Sequence, residues 1–310
     1  MYDLVIVGGG PAGVAAGVYA ARKKIKTLLV AEKFGGQSTV SPGVENWIGD
    51  QQLSGLELAK KLEGHVRRYE KAGDIEIADG VRVKEIKKSR HGFSLLTDVR
   101  RPLIETRIIL VASGSRRKRL GVPGEDEFDG RGLTWCATCD APLFKDKVVA
   151  IIGGGNAGLE AALTLNSYAQ KLYLLQRSDK LRGDAVTQEK VKKLKKMTVI
   201  FNAEIREVLG SSMVTGLKYK DKKTGKEKLL ELGGVFVEIG SVPNSDFVKD
   251  LVKLDKWGEI KIDCRTQRTS VDGIWAAGDV SDVIYKQNNI SAGDAIKAVL
   301  NIFDYLHKNK

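Results

Sequence analysis

Two glycine fingerprints, each lodged between a short apolar strand and a helix, with a Cys-x-x-Cys pair between them, predict an α/β protein of two Rossmann-like dinucleotide-binding domains. The 310 residues suffice for two domains of about 100–200 residues, each with its own core. Hydrophobic content of 42% and charged content of 29% fit a globular chain rather than a disordered or fibrous one.

The first fingerprint follows the apolar run Leu4-Val5-Ile6-Val7 and reads Gly8-Gly9-Gly10-Pro11-Ala12-Gly13, with a helix predicted over Val14 to Arg22. Gly8 permits the tight turn, Gly10 lets backbone approach a pyrophosphate, and Gly13 lets helix and strand pack closely. Pro11 and Ala12 sit where the helix begins, and its N–H groups and dipole suit phosphate. Ala15, Ala16, Gly17, Ala20 and Ala21 keep the helix thin enough to lie on a sheet. The next strand, Thr27 to Ala31, is expected to end at Glu32, 19 residues after Gly13, where an acid can hydrogen-bond ribose hydroxyls.

Next comes Cys136-Ala137-Thr138-Cys139, followed by Asp140. Two thiols three residues apart can open and close a disulfide within one turn, and an adjoining acid can move the accompanying proton. A zinc site is the competing reading. It fails for want of ligands: the third cysteine, Cys264, is distant in sequence, and His65, His91 and His307 are scattered. No metal site is expected. Cys264 ends an alternating stretch from Ile260 and is expected to be a structural thiol in a strand.

The second fingerprint follows Val148 to Ile152 and reads Gly153-Gly154-Gly155-Asn156-Ala157-Gly158, with a helix from Leu159 to Leu165. Gly153, Gly155, Asn156 and Gly158 are its candidate nucleotide contacts. The following strand, Leu172 to Leu175, ends at Gln176, 18 residues after Gly158, and not at an acid. Arg177 and Arg182 then follow. Arginine accommodates a 2′-phosphate, so the second site leans toward NADPH, with NADH as the other candidate.

Lysine and arginine number 51 against 39 acids, a net charge of +12. The lysines from Lys190 to Lys196 share a predicted helix with Val191, Leu194 and Met197, and those from Lys218 to Lys228 flank a Thr224-Gly225 hairpin turn. Both read as solvated faces, and no nucleic-acid partner is expected. There is no basic-then-apolar leader and no apolar run of about 20 residues, so neither secretion nor a membrane partner is expected, and a cytoplasmic location is.

Taken together, Gly8 to Gly13, Gly35-Gly36-Gln37, Val44-Glu45-Asn46-Trp47, Val122-Pro123-Gly124-Glu125, Cys136 to Asp140, Gly153 to Gly158, Gly278-Asp279 and Lys286-Gln287 resemble the low-molecular-weight thioredoxin reductases from end to end. The resemblance implies that the NAD(P)H domain is inserted in the FAD domain. The boundaries would be 1–119 and 244–310 for the FAD domain and 120–243 for the domain carrying the dithiol. It implies a homodimer and rotation of the inserted domain during turnover. It places Gly36, Gln37, Asn46, Asp279, Lys286 and Gln287 at FAD. Electrons would pass from NAD(P)H through FAD and Cys136/Cys139 to thioredoxin or a thioredoxin/glutaredoxin-like protein, with Asp140 as acid/base. Which cysteine attacks the partner stays open.

Departures from the family pattern are local. NADPH-using members carry His-Arg-Arg-x-x-x-Arg where this chain reads Gln176-Arg177-Ser178-Asp179-Lys180-Leu181-Arg182. Lys286 stands where arginine is usual, and Trp135 where tyrosine is common. Gly234 to Gly240 and Tyr285-Lys286-Gln287 are also similar to the flavoprotein component of alkyl hydroperoxide reductase, whose additional N-terminal dithiol module this chain is expected to do without. Alternatives are a related flavoprotein fed by ferredoxin or a deazaflavin, which the intact second fingerprint opposes, and an NADH-dependent reductase of a peroxide-reducing partner. A ferredoxin–NADP reductase is opposed by the dithiol, and a non-enzymatic redox sensor by the presence of every part of the electron path.

Overall fold

The computed structural model describes residues 1–41, 43–99 and 103–308. The chain divides into two compact units: Met1–Thr39, Trp47–Arg116 and Val242–Lys310 form one, and Val40–Asn46 with Arg117–Ser241 the other.

The first unit opens with β1 (Tyr2–Gly9), α1 (Pro11–Arg22), β2 (Thr27–Phe34), α2 (Gly55–Lys71), β3 (Glu76–Asp79), the antiparallel pair β4 (Val83–Ser89) and β5 (Gly92–Thr97), then β6 (Ile104–Val111) and β7 (Ser115–Arg117). β1 is apolar throughout its centre because both sheet faces are covered. Leu4 and Ile6 pack with Ala16 and Ala20 of α1, while Val5 and Val7 point to the opposite face, among Leu28, Val30 and Phe93. The strand predicted to stop at Ala31 runs on to Phe34, which leaves Glu32 inside β2 with its side chain exposed.

The second unit contributes β8 (Leu133–Thr134), the one-turn α3 (Ala137–Asp140), β9 (Val148–Ile152), α4 (Asn156–Leu165), β10 (Lys171–Gln176), α5 (Ala185–Lys192), β11 (Met197–Phe201), the antiparallel strands β12 (Ala203–Gly210), β13 (Val214–Asp221) and β14 (Glu227–Glu231), then β15 (Gly234–Val237), before β16 (Ser241–Pro243) leads back toward the first unit. Its parallel sheet has the order β11-β10-β9-β15-β8. Val149 and Ile151 pack under Leu159, Ala162 and Leu165 of α4, and Ala150 and Ile152 face Leu217 and Tyr219 of β13. The Lys218–Lys228 segment forms the expected hairpin. The lysine-rich helix is shorter than expected. α5 stops at Lys192, and Met197 starts a strand paired with β10. Only Val191 of this helix is fully buried, too little apolar surface to carry it further.

The chain then returns to the first unit with β17 (Ile274–Ala276), parallel to β6, and α6 (Asn288–Lys308). The first sheet has the order β3-β2-β1-β6-β5-β4, with β17 on β6. α6 packs Ala295, Ala298, Val299 and Ile302 on the α1 side of it, around the buried Trp275. The strand expected at Ile260–Cys264 is absent: among the described residues Ile260 makes only isolated bridges, and Cys264 is an exposed free thiol in a turn. Asp263 explains this, because its carboxylate accepts the N–H groups of Arg265 and Thr266 and folds the chain back.

Candidate active site

The strands β9 and β15 end beside the dithiol turn within the second unit. Cys136 and Cys139 are joined in a disulfide, with Cα atoms 5.3 Å apart. Cys136 caps α3. Its Sγ accepts the Cys139 N–H at 3.2 Å, and its carbonyl accepts the Asp140 N–H at 3.0 Å. One short turn thus fixes both sulfurs and aims the next residue inward.

That residue, Asp140, is 2% exposed. Its Oδ2 accepts from the Thr134 hydroxyl and its Oδ1 lies 3.0 Å from Ser41 Oγ, which also reaches the Gly43 carbonyl at 2.9 Å. Burial pushes the Asp140 carboxyl above the usual range, against the two hydroxyls and the more distant Arg117 guanidinium, which favour its charge. Ser41, Thr134 and Arg117 were not singled out by the sequence. A lone hydroxyl or arginine carries no pattern, and only the packing shows that they address Asp140.

Glu238, the residue after β15, is a second acid at this turn. Its N–H donates to the Ile152 carbonyl at 2.8 Å, and its carboxylate accepts the Ala137 N–H. Burial raises it to about 7, opposed by Arg117 and by that hydrogen bond and assisted by Glu160. A signal was present in the sequence. An acid directly after the apolar run Val235-Phe236-Val237 sits at the carboxyl end of a parallel strand, where α/β sheets place their sites.

The two glycine loops are built alike. A Cβ on Gly8, which holds φ +129°, would lie 2.2 Å from the Ala112 carbonyl oxygen, and one on Gly13 only 1.7 Å from the Gly8 oxygen. In the second loop Gly153, at φ +118°, would meet the Glu238 oxygen at 2.3 Å, and Gly158 the Gly153 oxygen at 1.8 Å. The middle glycines differ. A Cβ on Gly155 would touch nothing within 4 Å, and one on Gly10 only the Gly36 Cα at 3.7 Å. The outer glycines are therefore packing residues and the middle ones face an open approach. No side chain caps α1 or α4, and Pro11 opens α1. Both loops thus fit a pyrophosphate on a helix N-terminus.

Around the first loop, Gly36 lies against Gly10, and a Cβ on Gly278 would be 3.3 Å from the Ala12 Cβ. Asp279, next to Gly278, accepts from Ser291 Oγ at 3.2 Å. Gln37 donates to Ser115 Oγ at 3.0 Å. Glu32 meets Arg82 at 3.8 Å. Lys286 pairs with Glu259 at 3.1 Å and its ammonium donates to the Asp279 and Ser281 carbonyls, so it braces the Asp279 turn. Gln287 immediately precedes α6, where its carbonyl accepts the Ser291 N–H. Asn46 belongs to the segment that groups with the second unit.

Around the second loop, Gln176 explains itself. Its Oε1 accepts the Gly154 N–H at 2.9 Å and its Nε2 donates to Ser178 Oγ at 2.7 Å, which staples the loop to the strand tip. The Arg182 N–H donates to the Gly154 carbonyl at 2.7 Å, which brings the segment with the exposed Arg177 and Arg182 and the buried Leu181 against the fingerprint. Asn156 Oδ1 accepts the Asp184 N–H at 2.7 Å. Among the described residues no cluster of His, Cys, Asp or Glu is arranged to hold a metal ion, and no helix is long and apolar enough to cross a membrane.

Comparison with known proteins agrees with this layout. A family model described as pyridine nucleotide-disulphide oxidoreductase matches residues 2–295. An alkyl hydroperoxide reductase component of Staphylococcus aureus (strain MSSA476) is 40% identical over 308 residues, 99% of this chain and 60% of that protein. The corresponding Pseudomonas putida component is 43% identical over 309 residues, 98% of this chain and 58% of its own length. The chain therefore spans about three-fifths of these curated relatives. Among solved structures, thioredoxin reductase from Giardia duodenalis is 32% identical with a TM-score of 0.89, and that from T. acidophilum 39% identical with a TM-score of 0.68; each alignment covers 99% of both chains. With two nucleotide cradles and a disulfide turn in one chain, matched over nearly its whole length, the protein belongs to the pyridine nucleotide-disulphide oxidoreductase family.

Proposed function

We propose that the protein is a flavin-dependent disulfide reductase that takes electrons from NAD(P)H and passes them through Cys136 and Cys139 to the disulfide of a thioredoxin-like protein. The observation that carries this reading is the closed Cys136–Cys139 disulfide, with the buried Asp140, whose carboxyl burial pushes above the usual range, one residue beyond it.

The first loop, with Gly8, Gly10, Pro11, Ala12 and Gly13, would hold the FAD pyrophosphate, with Glu32 for its ribose and Gly36, Gln37, Asn46, Asp279 and Gln287 along the rest. Lys286 would act by holding the Asp279 turn. The second loop, with Gly153, Gly155, Asn156 and Gly158, would hold the nicotinamide dinucleotide, with Arg177 and Arg182 at a 2′-phosphate. When bound, the flavin supplies a two-electron relay between nicotinamide and disulfide. Asp140 gives a proton to the thiolate released when the disulfide opens. The resulting dithiol exchanges with the partner disulfide through a mixed disulfide.

A second reading concerns the partner and the nucleotide. The 40–43% identity to the alkyl hydroperoxide reductase components supports an NADH-driven reductase that serves a peroxide-reducing protein. Anaerobic titration of the purified protein with NADPH and with NADH, followed by flavin absorbance, tests the input end. Bleaching at far lower NADPH assigns Arg177 and Arg182 to the 2′-phosphate, and preferential bleaching by NADH favours the second reading. Bleaching by neither nucleotide overturns both. An oxidised thioredoxin, added after bleaching, restores the flavin colour if the output end is as proposed.

A further inference from the structure

Trp135 leads directly into Cys136, and the electron path proposed above makes no use of it. Side chains alternate in direction as the chain leaves β8. Thr134 sends its hydroxyl to Asp140, whereas Leu133 and Trp135 join the core that holds Phe128, with Leu120 and Val122 packed against it. Trp135 is 6% exposed. Its indole is held at two points. The Nε1–H donates to Asp129 Oδ1 at 2.9 Å, and the Arg119 guanidinium lies over the ring at 5.0 Å.

The two residues that hold the indole also hold each other, Arg119 Nη1 to Asp129 Oδ2 at 3.1 Å. Arg119 meets Asp126 as well, and its Nε lies 3.4 Å from Glu125 Oε1. Glu125, 4% exposed, fixes the chain beside Arg119 by accepting the Leu120 and Gly121 N–H groups at 2.6 and 2.8 Å. Asp129 stands on a turn whose backbone is closed without its side chain: the Leu133 N–H donates to the Phe128 carbonyl at 3.1 Å and the Gly130 N–H to the Leu133 carbonyl at 3.0 Å. By contrast, the Cys139 N–H on Cys136 Sγ and the Asp140 N–H on the Cys136 carbonyl both lie inside the dithiol turn and travel with it.

We propose that Asp129, acting through the Trp135 indole, is a positioning residue of the dithiol: it fixes the backbone entering Cys136 and so sets how readily the Cys136–Cys139 disulfide closes. The proposal deepens the reductase reading above, on which its catalytic relevance rests. Two thiols close a disulfide in proportion to their effective concentration toward each other, which is highest when both carriers are held in register. With the indole released, Cys136 spends more time away from Cys139 once the bond is open. The open dithiol gains, and the couple becomes easier to reduce. Arg119 should matter less than Asp129, because its ion pairs lie at the surface, where such pairs hold little.

The test needs no nicotinamide. The full-length protein is equilibrated at neutral pH with mixtures of reduced and oxidised dithiothreitol and trapped with N-ethylmaleimide. The reduced fraction of the peptide bearing Cys136 and Cys139 is read by mass spectrometry. Dithiothreitol closes its own S–S bond and gives two electrons and two protons to the protein disulfide, whose S–S bond breaks to two thiols. Asp129→Ala and Trp135→Phe should each move the equilibrium constant several-fold toward the reduced protein. Both cut the same contact, so the double variant should move it no further than the larger single one. Asp129→Asn keeps an oxygen for the indole N–H and should stay near wild type. An unchanged constant in Asp129→Ala overturns the proposal even if the melting temperature falls, because the contact is then structural only. Additive shifts in the double variant overturn it too, as do equal shifts in Asp129→Asn and Asp129→Ala. Should Trp135→Phe not fold, the two Asp129 variants decide alone. Flavin bleaching by NADPH or NADH is measured separately on the wild-type protein: its absence rejects the reductase reading and leaves the positioning of the disulfide standing.

Discussion

At the scale of single residues, the dithiol turn divides its work between sulfurs and acids. Cys139→Ser should abolish reduction of a protein disulfide and leave flavin absorbance and nicotinamide bleaching intact, because the two nucleotide cradles are built from other residues. Asp140→Asn keeps the Thr134 and Ser41 partners but removes the proton. General acid catalysis contributes about 10²–10⁴-fold, so stopped-flow disulfide reduction should slow by that order while the fold is preserved. The pH dependence of stability has a definite sign. Between about 4.5 and about 7 Glu238 binds a proton in the folded protein that it has lost in the unfolded chain, so the stability of the second unit falls as pH rises through that window and levels off above it. Denaturant midpoints across that range should flatten in Glu238→Gln. The sequence announced Cys136, Cys139 and Asp140 because their spacing is itself a pattern. Arg117, Thr134 and Ser41 were not legible, because a lone arginine or hydroxyl carries no pattern and Ser41 meets Asp140 from 99 positions away; Glu238 was marked only by its place after an apolar strand.

At the scale of elements, the strand–loop–helix units were legible because hydrophobic period and glycine placement agree. What the glycines do individually needed the structure. Gly158→Ala forces a Cβ to within 1.8 Å of the Gly153 carbonyl oxygen and should push α4 off β9, with a large drop in melting temperature. Gly155→Ala meets no neighbour within 4 Å and should leave the melt nearly unchanged while weakening nucleotide binding, read by fluorescence titration. Equal effects of both substitutions would contradict the division into packing and approach residues. The misread elements share a cause. Ile260–Cys264 alternates like a strand, yet the Asp263 carboxylate offers two backbone N–H groups a local partner, and the turn outcompetes the ladder. The lysine-rich helix was overextended because Leu194 and Met197 continue its apolar spacing, although Met197 is claimed by the strand beside β10.

At the scale of the whole molecule, the net charge of +12 is the feature a partner meets first. Long-range attraction between opposite charges is screened beyond about 8 Å at physiological ionic strength. Reduction of an acidic thioredoxin-like protein should therefore show a kcat/KM that falls steeply with added salt. Reduction of a small neutral disulfide should be nearly indifferent to it. Steady-state assays from 20 to 500 mM sodium chloride separate the two, and a salt-independent protein reaction would mean that docking rests on apolar contact instead.

The order of the segments bears on how the protein is born. The second unit draws almost all of its residues from one continuous stretch, Arg117–Ser241, whereas β1 and α1 complete their core only with Trp275 and the inward face of α6. Synthesis exposes Leu4, Ile6, Ala16 and Ala20 long before their partners in α6 are made. The middle of the chain can thus reach its native form while the beginning still waits for the end. Stalled nascent chains ending near residue 250 should yield a protease-resistant core from the Arg117–Ser241 segment alone, and β1 should become protected only once α6 has been made.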